Sequence, residues 1–278
     1  MNDNFIVDEA VLQRVRRRIL DAAFHAGTVG AHLGSSLSLV EIVSVLFGHT
    51  MKYDKSDLTS SGRDRFILSK GHGALGYYAV LAESGIIAQE QFAQFESNGG
   101  PLPAQPVMNS QWGIECASGS LGLGLSFGAG IALALKKKQS PFRVYVLLGD
   151  GECNEGTVWE AAISCAHFKL NNITAIVDYN KMQSDGFSQN VMSMGAMSDK
   201  WASFGFEVYQ VDGHNVTELE QAFDAISASQ SEKPSVIIAH TTKGKGVSFM
   251  ENNPEWHHNR LSEKDYNAAV AEINGGNE

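Results

Sequence analysis

Apolar and polar positions follow two rhythms along the chain. Five short stretches, Asp64–Ser69, Val144–Leu148, Ile173–Val177, Glu207–Val211 and Ser235–Ala239, carry apolar runs and read as strands. Val144–Leu148, Ile173–Val177 and Ser235–Ala239 lack polar alternation, the pattern of strands buried on both faces of a parallel sheet. Between the strands the spacing turns helical. Asp8 caps a predicted helix reaching about His25, with Val11, Val15 and Ile19 on one face. Ser38-Leu39-Val40-Glu41 reads as a capping box opening a second helix. Further helices are predicted over Ala74–Glu83, up to Lys136-Lys137-Lys138, and over Thr157–Phe168, Lys200–Phe204 and Thr217–Ser229. The three lysines suit a helix carboxyl end. Alternating strand and helix predict an α/β fold, a doubly wound and mostly parallel sheet with helices on both faces. The expected organisation is a single domain over 1–278, with 241–278 as a C-terminal extension and Asn274–Glu278 as a frayed tail.

Composition narrows the function. A length of 278 residues supports one sizeable core, and 43% hydrophobic with 19% charged residues is ordinary for a globular protein. A net charge of −10 argues against nucleic acid and anionic membranes as partners. Cys116, Cys153 and Cys165 form no disulfide framework, and the polar start Met1-Asn2-Asp3-Asn4 carries no signal-peptide pattern. No run of 18 apolar residues is present, so the expected location is the cytoplasm. Arg14, Arg16, Arg17 and Arg18 read as a solvated face of the first helix.

The chemistry concentrates between Val144 and Asn180. One apolar strand runs into Gly149-Asp150-Gly151, and the next ends in Asp178-Tyr179-Asn180, with 28 residues between Gly151 and Asn180. Each strand delivers an oxygen donor at its carboxyl end, the edge where open α/β sheets bind ligands. A hard cation such as Mg²⁺ takes one or two protein oxygens together with phosphate oxygens and water. The helix after Gly151 offers free N–H groups to an anion. A metal with a diphosphate is the natural guest, although Gly-Asp-Gly by itself equally describes a strand-end turn.

Gly149-Asp150-Gly151 followed by Asn180 resembles the thiamine-diphosphate motif, and Arg14 to His257 resembles the N-terminal, pyrophosphate-binding domain of transketolase. The match covers one half of a full-length transketolase, so the chain resembles the N-terminal subunit of a split, two-chain enzyme. The resemblance implies thiamine diphosphate as the cofactor, with Mg²⁺ or Ca²⁺ held by Asp150, Asn180 and the backbone carbonyl of Met182. It implies that His72, in Lys70-Gly71-His72-Gly73, contacts the diphosphate, and that Gly119, Ser120 and Leu121 lie beside the thiamine. By the same likeness Gly151, Glu155 and Asp178 belong to the cofactor site, with Glu155 and Glu160 matching acidic positions of the subunit interface, while Lys243 and Lys245 supply the local positive charge that a diphosphate needs. His32 matches a histidine lining the family's substrate channel, although Leu33 stands where proline is usual. His257 matches one near the diphosphate and the reacting carbon. In the loop Gly99–Pro106 the family's donor-contacting histidine aligns with Gln105, which cannot transfer protons near neutral pH.

The implied reaction moves a two-carbon ketol unit from a ketose phosphate to an aldose acceptor, with His32 and His257 moving protons and holding hydroxyls. A C-terminal partner subunit, carrying the pyrimidine-binding and C-terminal domains, supplies the missing half, and two such pairs give an α2β2 assembly. Two enzyme types share the motif logic, the α subunit of a 2-oxo-acid dehydrogenase and deoxyxylulose-phosphate synthase; a scaffold subunit without activity is the non-enzymatic alternative. Gly122-x-Gly124 fails as a dinucleotide fingerprint, because the third glycine and a preceding strand are absent. His257-His258 lacks further ligands at metal-site spacing. His25, His49, His167, His214 and His240 read as structural.

Overall fold

The structure is a computed structural model and describes residues 5–275. Met1–Asn4 and residues 276–278 of the expected tail lie outside the described residues. In chain order the strands are β1 Arg65–Leu68, β2 Val144–Gly149, β3 Ile173–Tyr179, β4 Met182–Gln183, β5 Gly186–Phe187, β6 Glu207–Asp212 and β7 Ser235–His240. The helices are α1 Glu9–His25, α2 Leu33–Ser38, α3 Val40–Val45, α4 Ala74–Glu83, α5 Gln89–Phe92, α6 Gly124–Lys137, α7 Gly156–His167, α8 Ser188–Val191, α9 Met197–Ser203, α10 Val216–Ala228 and α11 Glu263–Ile273.

Five strands form one sheet in the order β1-β2-β3-β7-β6, every neighbouring pair parallel. The apolar runs of β2, β3 and β7 are buried because helices cover both faces of the sheet there, whereas the edge strand β6 buries only Val211. In β2, Tyr145 and Leu147 join the core beneath α1, α3, α4 and α10, whereas Val144, Val146 and Leu148 join the core beneath α6, α7 and α9. All six residues of β2 are buried. Fully burying one such aliphatic side chain contributes about 1.5–3 kcal/mol, so a polar residue at Val146 breaks the second core. The doubly wound architecture is therefore the one the apolar runs predict.

Register positions the site. Gly149 pairs with Asp178, Asp178 with Ala239, and Tyr179 with His240. The residues that leave β2, β3 and β7 thus emerge side by side. At the other flank Leu68 pairs with Leu147, so Ser69–His72 emerge from β1 next to Asp150. The carboxyl edge collects what the chain spreads over more than a hundred residues.

Local details depart from the pattern. Asp8 caps α1 by accepting from the Val11 N–H at 2.8 Å, as its position predicts. Ser38 opens no helix: it ends α2, and its hydroxyl donates to Asp178 Oδ2 at 2.5 Å and to Ser35 O. The carboxylate of Glu41 turns away from the capping position towards Arg16. Arg16 is 6% exposed, so the solvated reading of the arginine cluster fails there; Arg14 and Arg18 reach Glu83 from the outer side. Residues after β7 return as α11, which the apolar spacing does not announce. It docks on α1 through Tyr266, whose ring stacks on Phe24 and whose hydroxyl donates to Asp21 at 2.7 Å. Among the described residues no helix is long and apolar enough to cross a membrane.

Candidate active site

Four strand ends furnish the site. The turn after β1 carries Lys70 and His72, the end of β2 carries Asp150, β3 ends in Asp178 and leads to Asn180, and the loop after β7 carries Lys243. Gly71 permits this crowding: a Cβ there would stand 2.8 Å from Ser118 Oγ and 3.0 Å from its carbonyl carbon. The segment containing Gly119 and Ser120 therefore packs directly on the turn holding His72.

Asp178 is the floor. It is fully buried and accepts from Lys70 Nζ, Ser38 Oγ and Thr241 Oγ1. Burial alone would raise its pKa, but the Lys70 ammonium and the two hydroxyls hold it below the ordinary carboxylate value. Asp150 lies beside it in a different state. It is 3% exposed, accepts the Ser188 hydroxyl at 3.0 Å, and among the described residues forms no ion pair. Burial, with the nearby Asp178 charge, pushes its pKa up to about 6. Asn180 is buried next to it, its Oδ1 accepting from the Met182 N–H at 3.0 Å. Asp150, Asn180, Thr241 and Thr242 line a common cleft of about 460 Å³ with residues of α8.

This donor set suits a hard divalent cation. It holds one anionic oxygen with no cationic partner and one amide oxygen with remaining acceptor capacity, and leaves positions for phosphate oxygens and water. Among the described residues no three or more His, Cys, Asp or Glu come together as a metal-binding group.

Next to it is a cationic and imidazole-rich patch. Lys243 is 2% exposed, and its Nζ donates to Gln183 O at 3.2 Å and to His257 Nδ1 at 2.9 Å. Burial, reinforced by Lys70, lowers its pKa to about 8. The rings of His32, His72 and His257 are mutual neighbours, with centroids 5.4–5.8 Å apart. Burial lowers His32 to about 4, helped by His258 and Lys243, and His257 to about 3, helped by Lys243. His72 is lowered too, by burial and then by Lys70. The three imidazoles are thus neutral at physiological pH and offer one donor and one acceptor each. Lys243 and three neutral imidazoles form a cradle suited to an anion, with Lys70 behind it neutralising Asp178. Ser118 Oγ, buried without a hydrogen-bond partner, adds a further polar group at its border.

The remaining expected residues are distributed around this centre. Gly119 and Ser120 line a second cleft of about 230 Å³ with Cys116, Leu123 and Phe127, and Leu121 follows at its border. The Gln105 side chain lies over Gly119, where a Cβ would stand. Gly151 begins the turn after Asp150 and packs against Gln183. Glu155 and Glu160 are exposed at the start and on the flank of α7. Three residues escaped sequence reasoning. Lys70 neutralises Asp178; its place after a strand, next to His72, was the available signal. His258 lies 4.5 Å from His32, ring to ring. Glu152, 3% exposed, accepts from Ser69 Oγ and from the N–H groups of Gly122 and Gly149 at 2.8 and 2.9 Å. It ties the loop after Leu121 to the end of β2, and only the fold brings these together.

Comparison with known proteins fits this geometry. Residues 7–275 match the family described as "Transketolase, thiamine diphosphate binding domain". The chain is 39% identical over 266 residues to an apulose-4-phosphate transketolase subunit of Actinobacillus succinogenes, covering 95% of each. It is 40% identical over 242 residues to 6-deoxy-6-sulfo-D-fructose transketolase subunit SqwG of a Clostridium species, covering 87% of this chain and 88% of that one. Transketolase from Leishmania mexicana superposes with a TM-score of 0.88 at 26% identity, over 97% of this chain and 42% of that chain.

Proposed function

The chain belongs to the family of transketolase thiamine-diphosphate-binding domains, and from that premise we propose that it is the N-terminal subunit of a split transketolase. Convergence of four strand ends on one edge carries the reading: Asp150, without an ion-pair partner among the described residues, beside Asn180, next to a cradle of Lys243 and three neutral histidines. Asp150, Asn180 and the Met182 carbonyl would hold Mg²⁺ or Ca²⁺. Lys243 and His72 would receive the diphosphate, while Gly119, Ser120 and Leu121 flank the organic rings. Bound thiamine diphosphate supplies a carbon nucleophile able to carry a two-carbon ketol unit.

The protein's own share is orientation and proton handling. His32 and His257, neutral in the free site, hold sugar hydroxyls; charge on a nearby diphosphate would raise their pKa values and make proton transfer easier. Gln105 contacts the donor through hydrogen bonds alone, since an amide does not titrate. The relatives named above belong to transketolases of apulose 4-phosphate and of 6-deoxy-6-sulfo-D-fructose. A branched ketose phosphate or a sulfonated ketose is therefore the donor to test beside xylulose 5-phosphate.

A separate C-terminal chain completes the enzyme in this reading, as an α2β2 assembly in the cytoplasm. The word "subunit" in the relatives' names supports this. So does an apolar surface beside Glu155 and Glu160: Leu123, Phe127, Ile163 and Phe168 are 43%, 53%, 57% and 48% exposed, and exposed apolar patches mark interaction sites. The test is to purify the chain with and without the product of the neighbouring gene. Each is assayed for thiamine-diphosphate- and Mg²⁺-dependent glycolaldehyde transfer to ribose 5-phosphate from a panel of ketose phosphates. Transfer by the pair alone is the expected result; transfer by this chain alone overturns the two-chain reading.

A further inference from the structure

A buried ion pair lies behind the site. Arg16 of α1 and Glu41 of α3, 6% and 3% exposed, form an ion pair. The second Glu41 oxygen meets His214 Nδ1 at 3.0 Å, in the turn after β6. The far nitrogen of the same ring, Nε2, is 2.8 Å from the backbone N of Thr242. A backbone N–H can only donate, so Nε2 is bare and the ring proton sits on Nδ1, donated to Glu41. Arg16 also reaches forward: its Nε donates to the carbonyl of Lys245 at 3.2 Å.

Both contacts land on the loop after β7, on either side of Lys243. Thr242 N–H is held by His214 and Lys245 C=O by Arg16, and the Thr241 hydroxyl is held by Asp178. Between the pins the backbone has little room. Gly244 N–H donates to Gly34 O at 2.9 Å, its φ is +83°, and a Cβ there would stand 2.4 Å from Met250 O. Removing a donor or acceptor from such a buried network costs more than the net value of one hydrogen bond, because its partner is left unsatisfied.

We propose that Arg16, Glu41 and His214 act as a clamp that fixes the Thr241–Gly246 loop and so sets where Lys243 Nζ meets the diphosphate. They are positioning residues: none touches the cradle, and all act through Lys243. The proposal rests on the reading of Lys243 as a diphosphate-binding cation. It assigns a task to His214, which the sequence marks as structural, and to Arg16, which the sequence marks as solvated.

The test uses the full chain and isothermal titration with inorganic pyrophosphate in the presence of Mg²⁺. His214→Leu, which removes both contacts, weakens pyrophosphate about tenfold, the usual scale for residues that orient a binding group. His214→Gln places an amide N–H towards Glu41 and an amide oxygen towards Thr242, and restores affinity to within about threefold of the parent protein. In a Lys243→Met background, His214→Leu has no further effect on affinity, because the clamp acts through the missing ammonium. Equal affinity of His214→Leu and the parent overturns the clamp. So does the same loss in the Lys243→Met background, which marks a general effect on the fold. A parent chain that binds no pyrophosphate sinks the functional reading and the clamp with it, whereas a Lys243→Met defect without a His214→Leu defect sinks the clamp alone. Should His214→Leu fail to fold, Arg16→Lys carries the same cycle, since it keeps the charge facing Glu41 and loses the reach to Lys245 O.

Discussion

Asp150 and Asp178 stand at the ends of neighbouring strands, both buried, in opposite electrical circumstances. Asp178 has an ammonium and two hydroxyls on its carboxylate and stays ionised below the ordinary range. Asp150 has one hydroxyl, no ion-pair partner among the described residues, and a pKa pushed up to about 6. The first is finished structure. The second is a buried carboxylate without an ion-pair partner among the described residues. The same contrast separates Lys70, paired with Asp178, from Lys243, which has only a carbonyl and a neutral ring. Within this site the satisfied charges build the frame, and the unsatisfied ones are those to which the proposed function gives a ligand, since a buried ion without a partner is costly.

The contrast is sharpest under substitution. Asp178→Asn leaves the Lys70 ammonium buried without a counter-ion, and chemical denaturation is expected to show a loss of about 3–5 kcal/mol. A variant as stable as the parent would mean that Asp178 is not the frame. Asp150→Asn does the opposite to the ligand-free protein, removing an unpaired buried charge. Its stability at neutral pH rises by up to roughly 3 kcal/mol, the value of the pKa displacement, while Mg²⁺-dependent pyrophosphate binding is lost. A destabilised Asp150→Asn would erase the distinction.

Lys243 supplies the pH test. Its folded pKa, about 8, lies below the ordinary 10.5. The ammonium is therefore disfavoured by folding, and this penalty is present below about pH 8 and vanishes as pH rises past the unfolded value. Binding runs the other way, because the anion needs the charge. Affinity for Mg²⁺-thiamine diphosphate falls roughly tenfold from pH 7 to pH 9 as the ammonium is lost, and Lys243→Met flattens the profile. An unchanged slope in that variant would remove Lys243 from the cradle. The smallest effect belongs to the loop over Gly119. Gln105→His, assayed in the complete enzyme, shifts the ratio of kcat/KM between two ketose phosphates by about three- to tenfold, the scale of one hydrogen bond. No shift would place Gln105 outside the donor's reach.

Much of this was legible in the linear chain, for physical reasons that differ by element. Strands buried on both faces must be apolar throughout, so Val144–Leu148 and Ile173–Val177 declare themselves, and a Gly-Asp-Gly at one end with Asn180 at the other points to the sheet edge. α11 was not legible. Only Ala269 and Ile273 are buried along it, and its start, Ser262 with a hydroxyl that accepts from the Asp265 N–H, was the available signal. Arg16 was misread because a basic residue among four reads as solvated until a carboxylate from another helix is known to face it.

The sequence alone determined the parallel sheet, the helices on both its faces and the edge where ligand chemistry gathers, since these follow from hydrophobic period and from residues adjacent in the chain. Tertiary structure alone decided the state of each charge. Lys70 and Asp178 are 108 residues apart, and Glu41 and His214 are 173 apart. Whether a buried carboxylate is paired or left open depends on which distant side chain the sheet register delivers to it, and a Coulomb interaction decays with distance in space, not with distance along the chain.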